Sequence, residues 1–353
     1  MNFNKAPGRI RTIAAGKELW LPSGVFALIV FLLSFVQLKV KNPMLLLERF
    51  VPGGGWAELI IVGIYGAVVA YHMQDTRKVA EWRKYTWLLF SLIFFAQLGL
   101  GLLGNERFLM TGKLHLPVPM MILAGPVYRG HISVMTVLFI STVVLSGPAW
   151  CSHLCYFGAL DSMAAGNRTR KRKKTPATRS RQKPAAGPMK GKWATKSTVI
   201  LLVVAVAIIL RWLEIPLHIT TLLAAGFGIL GLALILLVSR RQSRMFHCIV
   251  YCPIGTIVNL TRSVNPFRMY IDHGLCTDCM ACTRICKYDA LNVGDVKARM
   301  PGTGCTLCGD CLGECHSGAI RYGFLKLSPA AARNLYLLIT ISLHASTLAL
   351  ARI

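Results

Sequence analysis

The chain has 353 residues, of which 54% are hydrophobic and only 15% are charged, and its mean hydropathy is +0.53. This composition argues against a set of soluble domains and indicates a membrane protein that carries a small soluble module. The net charge of +26 would suggest nucleic-acid binding in a soluble protein. Here twelve Lys and Arg residues fall between Arg168 and Lys196 without an acidic residue, which is typical of cytoplasmic loops, so no nucleic-acid partner is expected.

Six apolar segments predict transmembrane helices. In chain order they cover residues 22–40, 56–72, 85–104, 133–150, 198–213 and 219–238. Because residues 1–20 are basic, a cleavable signal peptide is a competing interpretation of the first segment, but the apolar run is long for one and no small-x-small site follows. Basic residues within 77–84 and 240–244 place those loops on the inner side of the membrane.

Two further apolar segments are harder to assign. Residues 105–131 are expected to form the longest outside loop, and within it the stretch 114–126 is short and broken by prolines, which suits a re-entrant or interfacial segment. Near the C-terminus, residues 335–350 are apolar enough for a seventh helix. That run is only about 16 residues, below the ~20 of a usual span, so an amphipathic surface helix is the alternative.

The strongest functional motif of the chain is the cysteine pattern C-x2-C-x2-C-x3-C. It occurs twice, with 18 residues between the two runs. Two-residue gaps let a tight loop wrap three thiolates around one face of a cubane iron–sulfur cluster, while the fourth cysteine ligates the other cluster. We therefore assign one [4Fe-4S] cluster to Cys276, Cys279, Cys282 and Cys315, and a second to Cys305, Cys308, Cys311 and Cys286. Zinc is the alternative, but structural zinc sites usually use separated C-x2-C pairs rather than runs of four.

Residues of roughly 270–323 resemble the bacterial two-cluster ferredoxins. The chain departs from that family directly after each run, where Lys287 and His316 replace the usual proline. The resemblance implies a small α+β module. Ligation by the eight cysteines is expected to survive these two changes, although the turn geometry can differ.

The remaining four cysteines form two C-x3-C pairs at the inner ends of predicted spans. Cys151 and Cys155, like Cys248 and Cys252 that lie 97 positions later, are followed by x2-G-x-(Leu or Ile). Four thiolates could hold a third iron–sulfur cluster at the edge of the membrane. Redox-active dithiols and a packing role remain alternatives. The adjacent His153 and His247 are secondary candidates for tuning or proton transfer.

Two C-x3-C motifs at helix ends followed by a two-cluster ferredoxin resemble the NapH/NosR-type family of membrane iron–sulfur proteins, over residues of about 85–323. That family includes the membrane quinol dehydrogenase subunit of periplasmic nitrate reductase systems. Its motif is C-x3-C-P, which Cys252 and Pro253 match and which Tyr156, after Cys155, does not. The resemblance implies an electron-transfer subunit of a quinol-linked oxidoreductase complex.

The leading functional hypothesis is therefore a membrane-bound electron-transfer protein that links the quinone pool to other redox subunits. The sequence has no P-loop, dinucleotide fingerprint or nucleophile elbow, so no catalytic residue is assigned. His115, Tyr128 and His72 are candidates for a quinone site. The alternative is an assembly or maturation factor whose clusters reduce a metal or a disulfide in a partner protein. A bis-His haem is a third interpretation, but no clear histidine pair sits on facing helices.

These patterns predict an all-α polytopic membrane domain with an α+β ferredoxin module, divided into five parts. They are an N-terminal membrane half (1–165), a basic linker (166–197), a second membrane half (198–262), the ferredoxin module (263–326) and a C-terminal apolar helix (327–353). The expected location is the inner, cytoplasmic membrane, with the linker and the ferredoxin module on the cytoplasmic side. The linker is predicted to be disordered; docking of an acidic partner or anionic lipid is its functional alternative.

Overall fold

The structure is a computed structural model that describes residues 18–108, 118–132, 134–166, 189, 191–262 and 264–350. Most of the basic linker that was predicted to be disordered lies outside the described residues. The quinone-site candidate His115 also lies outside them.

Six helices among the described residues are long and apolar enough to cross a membrane. They extend over Trp20–Lys39, Gly54–Met73, Val79–Leu102, Thr136–Leu154, Lys192–Trp212 and Leu217–Gln242. Each overlaps one of the six predicted spans, and their outer faces expose large apolar side chains such as Phe31, Ile61 and Leu201. Apolar surface on this scale is expected toward lipid rather than water. The prediction of six apolar helices is confirmed.

We number the α-helices of the described residues in chain order. The N-terminal half contains α1 (Trp20–Lys39), α2 (Leu46–Phe50), α3 (Gly54–Met73), α4 (Val79–Leu102), α5 (Met121–Arg129), α6 (Val134–Ser146) and α7 (Tyr156–Ala165). The C-terminal half contains α8 (Lys192–Trp212), α9 (Leu217–Leu234), α10 (Arg240–Gln242), α11 (Pro253–Thr261), α12 (Ala281–Ile285), α13 (Val293–Lys297) and α14 (Pro329–Leu350).

Short 3-10 and π-helical turns join or extend several of these helices. The 3-10 turns are Glu106–Phe108 and Gly147–Ala149, and the π-helical turns are Trp150–Leu154, Ile235–Ser239 and His247–Tyr251. The second 3-10 turn and the first π-helical turn continue α6, so that the apolar helix reaches Leu154. The second π-helical turn joins α9 to α10. Irregular turns of this kind within helices are frequent at functional sites.

The C-terminal helix α14 is a structural part of the helical bundle. Its 22 residues would extend about 33 Å, which is long enough to span, but it does not reach the apolar composition of the six helices above. It packs against α1, α3 and α4, and side chains such as Tyr336, Ile341 and Ala345 are buried. This packing within the bundle favours a helix that runs alongside the apolar helices over an amphipathic helix on the membrane surface.

The region expected to be the longest outside loop contains a short helix. Helix α5 covers Met121–Arg129 and packs against α8. Gly130 ends it in the left-handed region, with φ of 72°, and its amide donates to the carbonyl of Pro126. The start of the proline-broken stretch 114–126 lies outside the described residues. The described part is thus a helix of nine residues, too short to cross a membrane.

The soluble module is built on a two-stranded antiparallel sheet. Strand β1 (Phe267–Ile271) pairs with β2 (Ile320–Phe324), so that Phe267 lies opposite Phe324. The two cysteine runs and the short helices α12 and α13 lie between the strands in the chain. The sheet rests on the helical bundle through aromatic contacts, because the Tyr336 ring of α14 lies 5.5 Å from that of Phe267 and 4.9 Å from that of Tyr322. This module is consistent with the predicted ferredoxin.

Candidate metal centres

The two cysteine runs share an unusual backbone conformation. Asp278 and Met280 in the first run have φ of 51° and 56°, and Leu307 and Gly309, at the equivalent positions of the second run, have φ of 56° and 79°. Left-handed residues other than glycine are uncommon because their Cβ atom crowds the backbone. Alternating right- and left-handed residues turn successive N–H groups toward one point, a nest that commonly holds anions and iron–sulfur clusters. The residues present therefore fit such clusters.

The chain brings the eight thiols together in two groups. The Cys282 thiol has Cys315, Cys279 and Cys276 as electrostatic neighbours. The Cys311 thiol has Cys308, Cys305 and Cys286 as its nearer neighbours, with Cys282 the weakest. The fourth cysteine of each run thus lies with the first three of the other run. The assignment of ligands to two clusters stays a prediction.

Burial favours the neutral form of these thiols. Burial raises the pKa of Cys282 and of Cys286 to about 11, because a thiolate loses its hydration in the protein interior. Without metal the two side chains would therefore be neutral thiols at pH 7. Bound iron would deprotonate them and compensate the charge.

A zinc site needs its thiolates closer together than an iron–sulfur cubane does. Four thiolates around one zinc ion would lie about 3.8 Å from one another, given Zn–S bonds of about 2.3 Å in a tetrahedron. No group of three or more His, Cys, Asp or Glu within the described ranges closes on a single metal ion in this way. In a cubane each thiolate binds a different iron, so a wider spacing is required.

The two C-x3-C motifs have nearly the same backbone structure. In each, the first cysteine lies in a π-helical turn, Trp150–Leu154 or His247–Tyr251, and the second cysteine ends that turn in an extended conformation. The amide of Cys155 donates to the carbonyl of Trp150 over 3.1 Å, and that of Cys252 donates to His247 over 2.9 Å. A short helix, α7 or α11, then begins directly after the second cysteine. The sequence repeat is therefore a structural repeat.

The presence of glycine at the same position in both motifs has a steric explanation. A Cβ atom on Gly158 would lie 2.9 Å from the carbonyl oxygen of Cys151, and one on Gly255 would lie 3.1 Å from that of Cys248. Each glycine therefore lets the short helix fold back onto the turn that carries the first cysteine. This close approach explains the spacing C-x3-C-x2-G.

The four cysteines of the two motifs gather at one place, which we call the four-cysteine site. The Cys248 thiol has Cys252, Cys155 and Cys151 as electrostatic neighbours. Burial raises the pKa of Cys155 to about 12. A small cleft opens onto Cys151 and Cys248, and the buried Lys196 also lines it. Four clustered thiols, two of them buried, beside a cation and an open cleft fit an anionic metal cluster better than simple packing.

Hydrogen bonds connect the four-cysteine site directly to the second ferredoxin run. The Ser152 hydroxyl, one residue after Cys151, donates to the carbonyl of Thr306 over 3.0 Å. The Tyr288 hydroxyl donates to the carbonyl of Cys151 over 3.1 Å. Cys248 of the four-cysteine site and Cys308 of the second run are both electrostatic neighbours of Tyr288. The two sites therefore share a boundary formed by Tyr288, Ser152 and Thr306.

A buried ion pair fixes the same junction. Arg83 of α4 donates through Nε and Nη2 to the two carboxylate oxygens of Asp310, over 2.8 and 2.6 Å, and through Nη1 to the carbonyl of Ser152 over 3.1 Å. Arg83 and Asp310 are only 1% and 8% exposed. One side chain thus holds a membrane helix, the ferredoxin module and the four-cysteine site in one arrangement.

The predicted quinone candidates do not form one site. The His72 ring, in the last turn of α3, stacks on Trp82 at 4.1 Å, close to the ferredoxin end of the bundle. The Tyr128 hydroxyl donates to the carbonyl of Ile215, between α8 and α9 at the opposite end. With His115 outside the described residues, the structure brings none of the three together.

Two buried histidines form a connection that sequence reasoning did not detect. His344 of α14 donates through Nδ1 to the carbonyl of His153 over 2.9 Å, and its Nε2 accepts from the Tyr65 hydroxyl at 3.1 Å. His153 in turn contacts the Ser152 hydroxyl through Nδ1 at 2.9 Å. In the sequence, His344 is only a lone histidine in the last apolar segment. Its contact with His153 depends on how α14 packs and could not be predicted.

Comparison with known families supports metal binding at the four-cysteine site. The model of a 4Fe-4S binding domain matches residues 129–175 and 224–267, the two segments that carry the C-x3-C motifs. An uncharacterized protein of Methanocaldococcus jannaschii is 22% identical over 188 residues, which cover 53% of this chain and 68% of that protein. No solved structure matches. The chain is thus similar to 4Fe-4S binding domains and carries six apolar, membrane-type helices.

Proposed function

We propose that this protein is a membrane-bound iron–sulfur electron-transfer protein that passes electrons between the quinone pool and a redox partner complex. A bound [4Fe-4S] cluster takes up or releases electrons at a potential set by its surroundings. The proposal uses two clusters in the ferredoxin module and a third at the four-cysteine site. The family match on the C-x3-C segments and the resemblance to NapH/NosR-type proteins support it.

The observation that carries the proposal is the direct connection between the four-cysteine site and the second ferredoxin run. Ser152 and Tyr288 hydrogen-bond across the junction, at 3.0 and 3.1 Å. Electron transfer requires redox centres held close together with little rearrangement, and a buried network of this kind provides rigid spacing. A ferredoxin joined to the helices by a free linker would not need it.

The charges around the sites suit redox clusters. The Cys286 sulfur accepts a hydrogen bond from the amide of Ala290 over 3.4 Å, a contact of the type that tunes cluster potentials. Lys196 lies near Cys151, Cys252 and Cys248 and is 5% exposed. A buried cation beside four thiolates offsets part of their negative charge and favours the reduced state.

We place the ferredoxin end of the bundle on the cytoplasmic side of the inner membrane. The basic residues at 77–84 and 240–244 lie at this end, and the positive-inside rule supports that orientation. Other redox subunits would then dock there or at the ferredoxin module. The basic linker is a further candidate for contact with an acidic partner or anionic lipid.

The first test is the content of iron and acid-labile sulfide per chain in anaerobically purified protein, with electron paramagnetic resonance of the reduced state. About twelve irons are expected for three [4Fe-4S] clusters, and about eight would limit metal to the ferredoxin module. Substituting Cys151 and Cys248 together by serine should then remove about four irons. Unchanged iron in that variant would refute a cluster at the four-cysteine site.

The second test separates electron transfer with quinones from a maturation role. Reduced protein in lipid vesicles should be reoxidised by a short-chain quinone, and a quinol analogue should inhibit that reaction. A maturation factor would reduce a partner's disulfide or metal and would not respond to the analogue. Absence of any quinone response would refute the quinone part of the proposal while leaving iron–sulfur electron transfer intact.

A further inference from the structure

A large open cavity lies where the last turn of α8 meets the end of α5. Its volume of about 780 Å³ falls within the range of about 300–1,000 Å³ typical of ligand sites. We call it the α5–α8 groove. Along α8, Arg211 in the groove lies about 22 Å beyond Lys196 of the four-cysteine site, at about 1.5 Å per residue. The groove is therefore remote from the proposed clusters.

Apolar side chains on the wall of the groove suit contact with lipid. Trp212 and Ile132 are 82% and 69% exposed there, and Ile208 lies one turn before Trp212 on α8. Helix α8 is one of the six membrane-type helices. A tryptophan at the end of such a helix commonly lies at the level of the lipid headgroups, which places Ile208 at the level of the acyl chains. The groove thus joins a headgroup region to an apolar surface.

The structure holds the guanidinium group of Arg211 inside this groove. Its Nη1 donates to the carbonyl of Val127 over 3.4 Å. A Cβ atom on Gly130, which ends α5, would lie 2.5 Å from both terminal nitrogens of Arg211, so the guanidinium lies directly over this glycine. Most of the five N–H donors of Arg211 remain available for a ligand. A planar guanidinium with free donors is the group that binds phosphate best in proteins.

A carboxylate also lines the groove without neutralising this cation. Glu214 lies just beyond the end of α8, and its amide donates to the carbonyl of Arg211 over 3.1 Å. Neither side chain takes part in the ion pairs found among the described residues. Glu214 has φ of 50°, where glycine is the usual residue because it has no Cβ atom. The groove therefore offers a ligand one positive and one negative charge, which suits a zwitterion.

We propose that the α5–α8 groove binds the headgroup of phosphatidylethanolamine. The phosphate accepts hydrogen bonds from Arg211, the primary ammonium donates to Glu214, and an acyl chain lies along Ile208. A purely anionic lipid would be repelled by Glu214, and the quaternary ammonium of phosphatidylcholine has no N–H to donate. A lipid bound in this way would tie the short helix α5 to α8. The inference involves no cluster and no quinone.

The decisive experiment uses the unmodified, full-length protein in phosphatidylcholine vesicles that contain a trace of phosphatidylethanolamine with a photoactivatable acyl chain. After photolysis, the labelled peptides are mapped by mass spectrometry. We expect label in peptides that carry 126–132 or 208–214, and phosphatidylethanolamine should compete for it at least tenfold better than phosphatidylglycerol. Competed label confined to other peptides overturns the inference, and so does equal competition by the two lipids. Equal competition by water-soluble glycerophosphoethanolamine would show a soluble ligand and overturns the lipid assignment.

Two variants test the charges one at a time, with a matched control at the same end of the bundle. Arg211→Gln removes the guanidinium, and Glu214→Gly removes the carboxylate at a position whose φ suits glycine. Arg129→Gln removes an exposed cation that does not line the groove. Binding of phosphatidylethanolamine, measured by native mass spectrometry, should weaken at least tenfold in the first two variants and stay unchanged in the third.

The selectivity of each variant distinguishes the two contacts. Glu214→Gly should lose the preference for phosphatidylethanolamine over phosphatidylglycerol, whereas Arg211→Gln should bind both lipids weakly. Unchanged affinity in both variants overturns the inference, as does equal weakening in Arg129→Gln. Iron content should be the same in all three variants, so the result is independent of the proposed electron-transfer function. Where a variant fails to fold, the labelling of unmodified protein decides the question alone.

Discussion

Replacement of Arg83 by methionine should weaken the attachment of the ferredoxin module to the helical bundle. Arg83 makes three hydrogen bonds, two to Asp310 and one to the Ser152 carbonyl, and its side chain is 2% exposed. Arg83→Met keeps the apolar stem but leaves the Asp310 carboxylate buried without its ion-pair partner, with only Lys287 as a nearby cation. Breaking a buried pair in this way costs about 3–5 kcal/mol. We expect that loss in the free energy of unfolding, measured by circular dichroism in mixed detergent micelles.

A second Arg–Asp pair in the same module provides a matched control. Arg299 contacts Asp278 in the first cysteine run through two hydrogen bonds, but the Asp278 side chain is 47% exposed. Arg299→Met should therefore leave stability close to that of the unmodified protein, because water replaces the lost partner.

The double variant Arg83→Met/Asp310→Leu isolates the cost of the unpaired charge. Removing both charges should recover most of the stability lost in Arg83→Met, since two apolar side chains need no counter-charge. A loss below about 1 kcal/mol in Arg83→Met would refute the reasoning that burial gives this pair its strength. So would purely additive effects of the two substitutions.

Three further predictions concern other contacts. Gly158→Val should lose about four irons per chain, as measured by elemental analysis, because its side chain would press on the turn that carries Cys151. Tyr65→Phe should cost about 1–3 kcal/mol of unfolding free energy, because His344 Nε2 loses its donor. Lys196→Met should lower the potential of the four-cysteine cluster, in a titration followed by electron paramagnetic resonance, by on the order of 100 mV. Lys192→Met should have a smaller effect, because Lys192 is paired with Asp289.

Much of the architecture could be predicted from local sequence patterns. A transmembrane span is defined by a continuous apolar run, so the six helices follow from hydropathy alone. The relation between the two C-x3-C motifs was also visible, since a repeated pattern of cysteine and glycine carries its own geometry. Its physical cause, the approach of Gly158 and Gly255 to the carbonyl groups of Cys151 and Cys248, required the structure.

The contacts that depend on tertiary packing could not be predicted. Lys287 was recognised only as a departure from the ferredoxin pattern, where proline is usual. In the structure its ammonium group donates to the carbonyl of Ser162 in α7 over 3.0 Å, which anchors the module to the bundle. A proline there could not make this contact. Likewise, nothing local indicates that Arg83, in an apolar helix, pairs with Asp310, 227 positions later.

The position of α14 is a second example of packing that could not be predicted from the sequence. Its run of polar residues lowered the hydropathy below that of a span, which made a surface helix a reasonable alternative. Those residues are instead buried at helix contacts: His344 is 4% exposed and bonded to Tyr65 and the His153 carbonyl. Both ring nitrogens of His344 are satisfied by these contacts inside the bundle, whereas hydropathy counts the residue only as a cost.

The basic residues of this chain serve two physically different purposes. Those in exposed loops bear on orientation in the membrane, where each acts through its charge and none needs a specific partner. Arg83, Lys196 and Lys287 are different, because each is largely buried at the ferredoxin end and lies near thiols of the candidate metal centres. A buried cation is stable only with anionic charge close by. Asp310 supplies that charge to Arg83, and the proposed clusters would supply it to Lys196, so metal binding and the docking of the module onto the bundle should depend on each other.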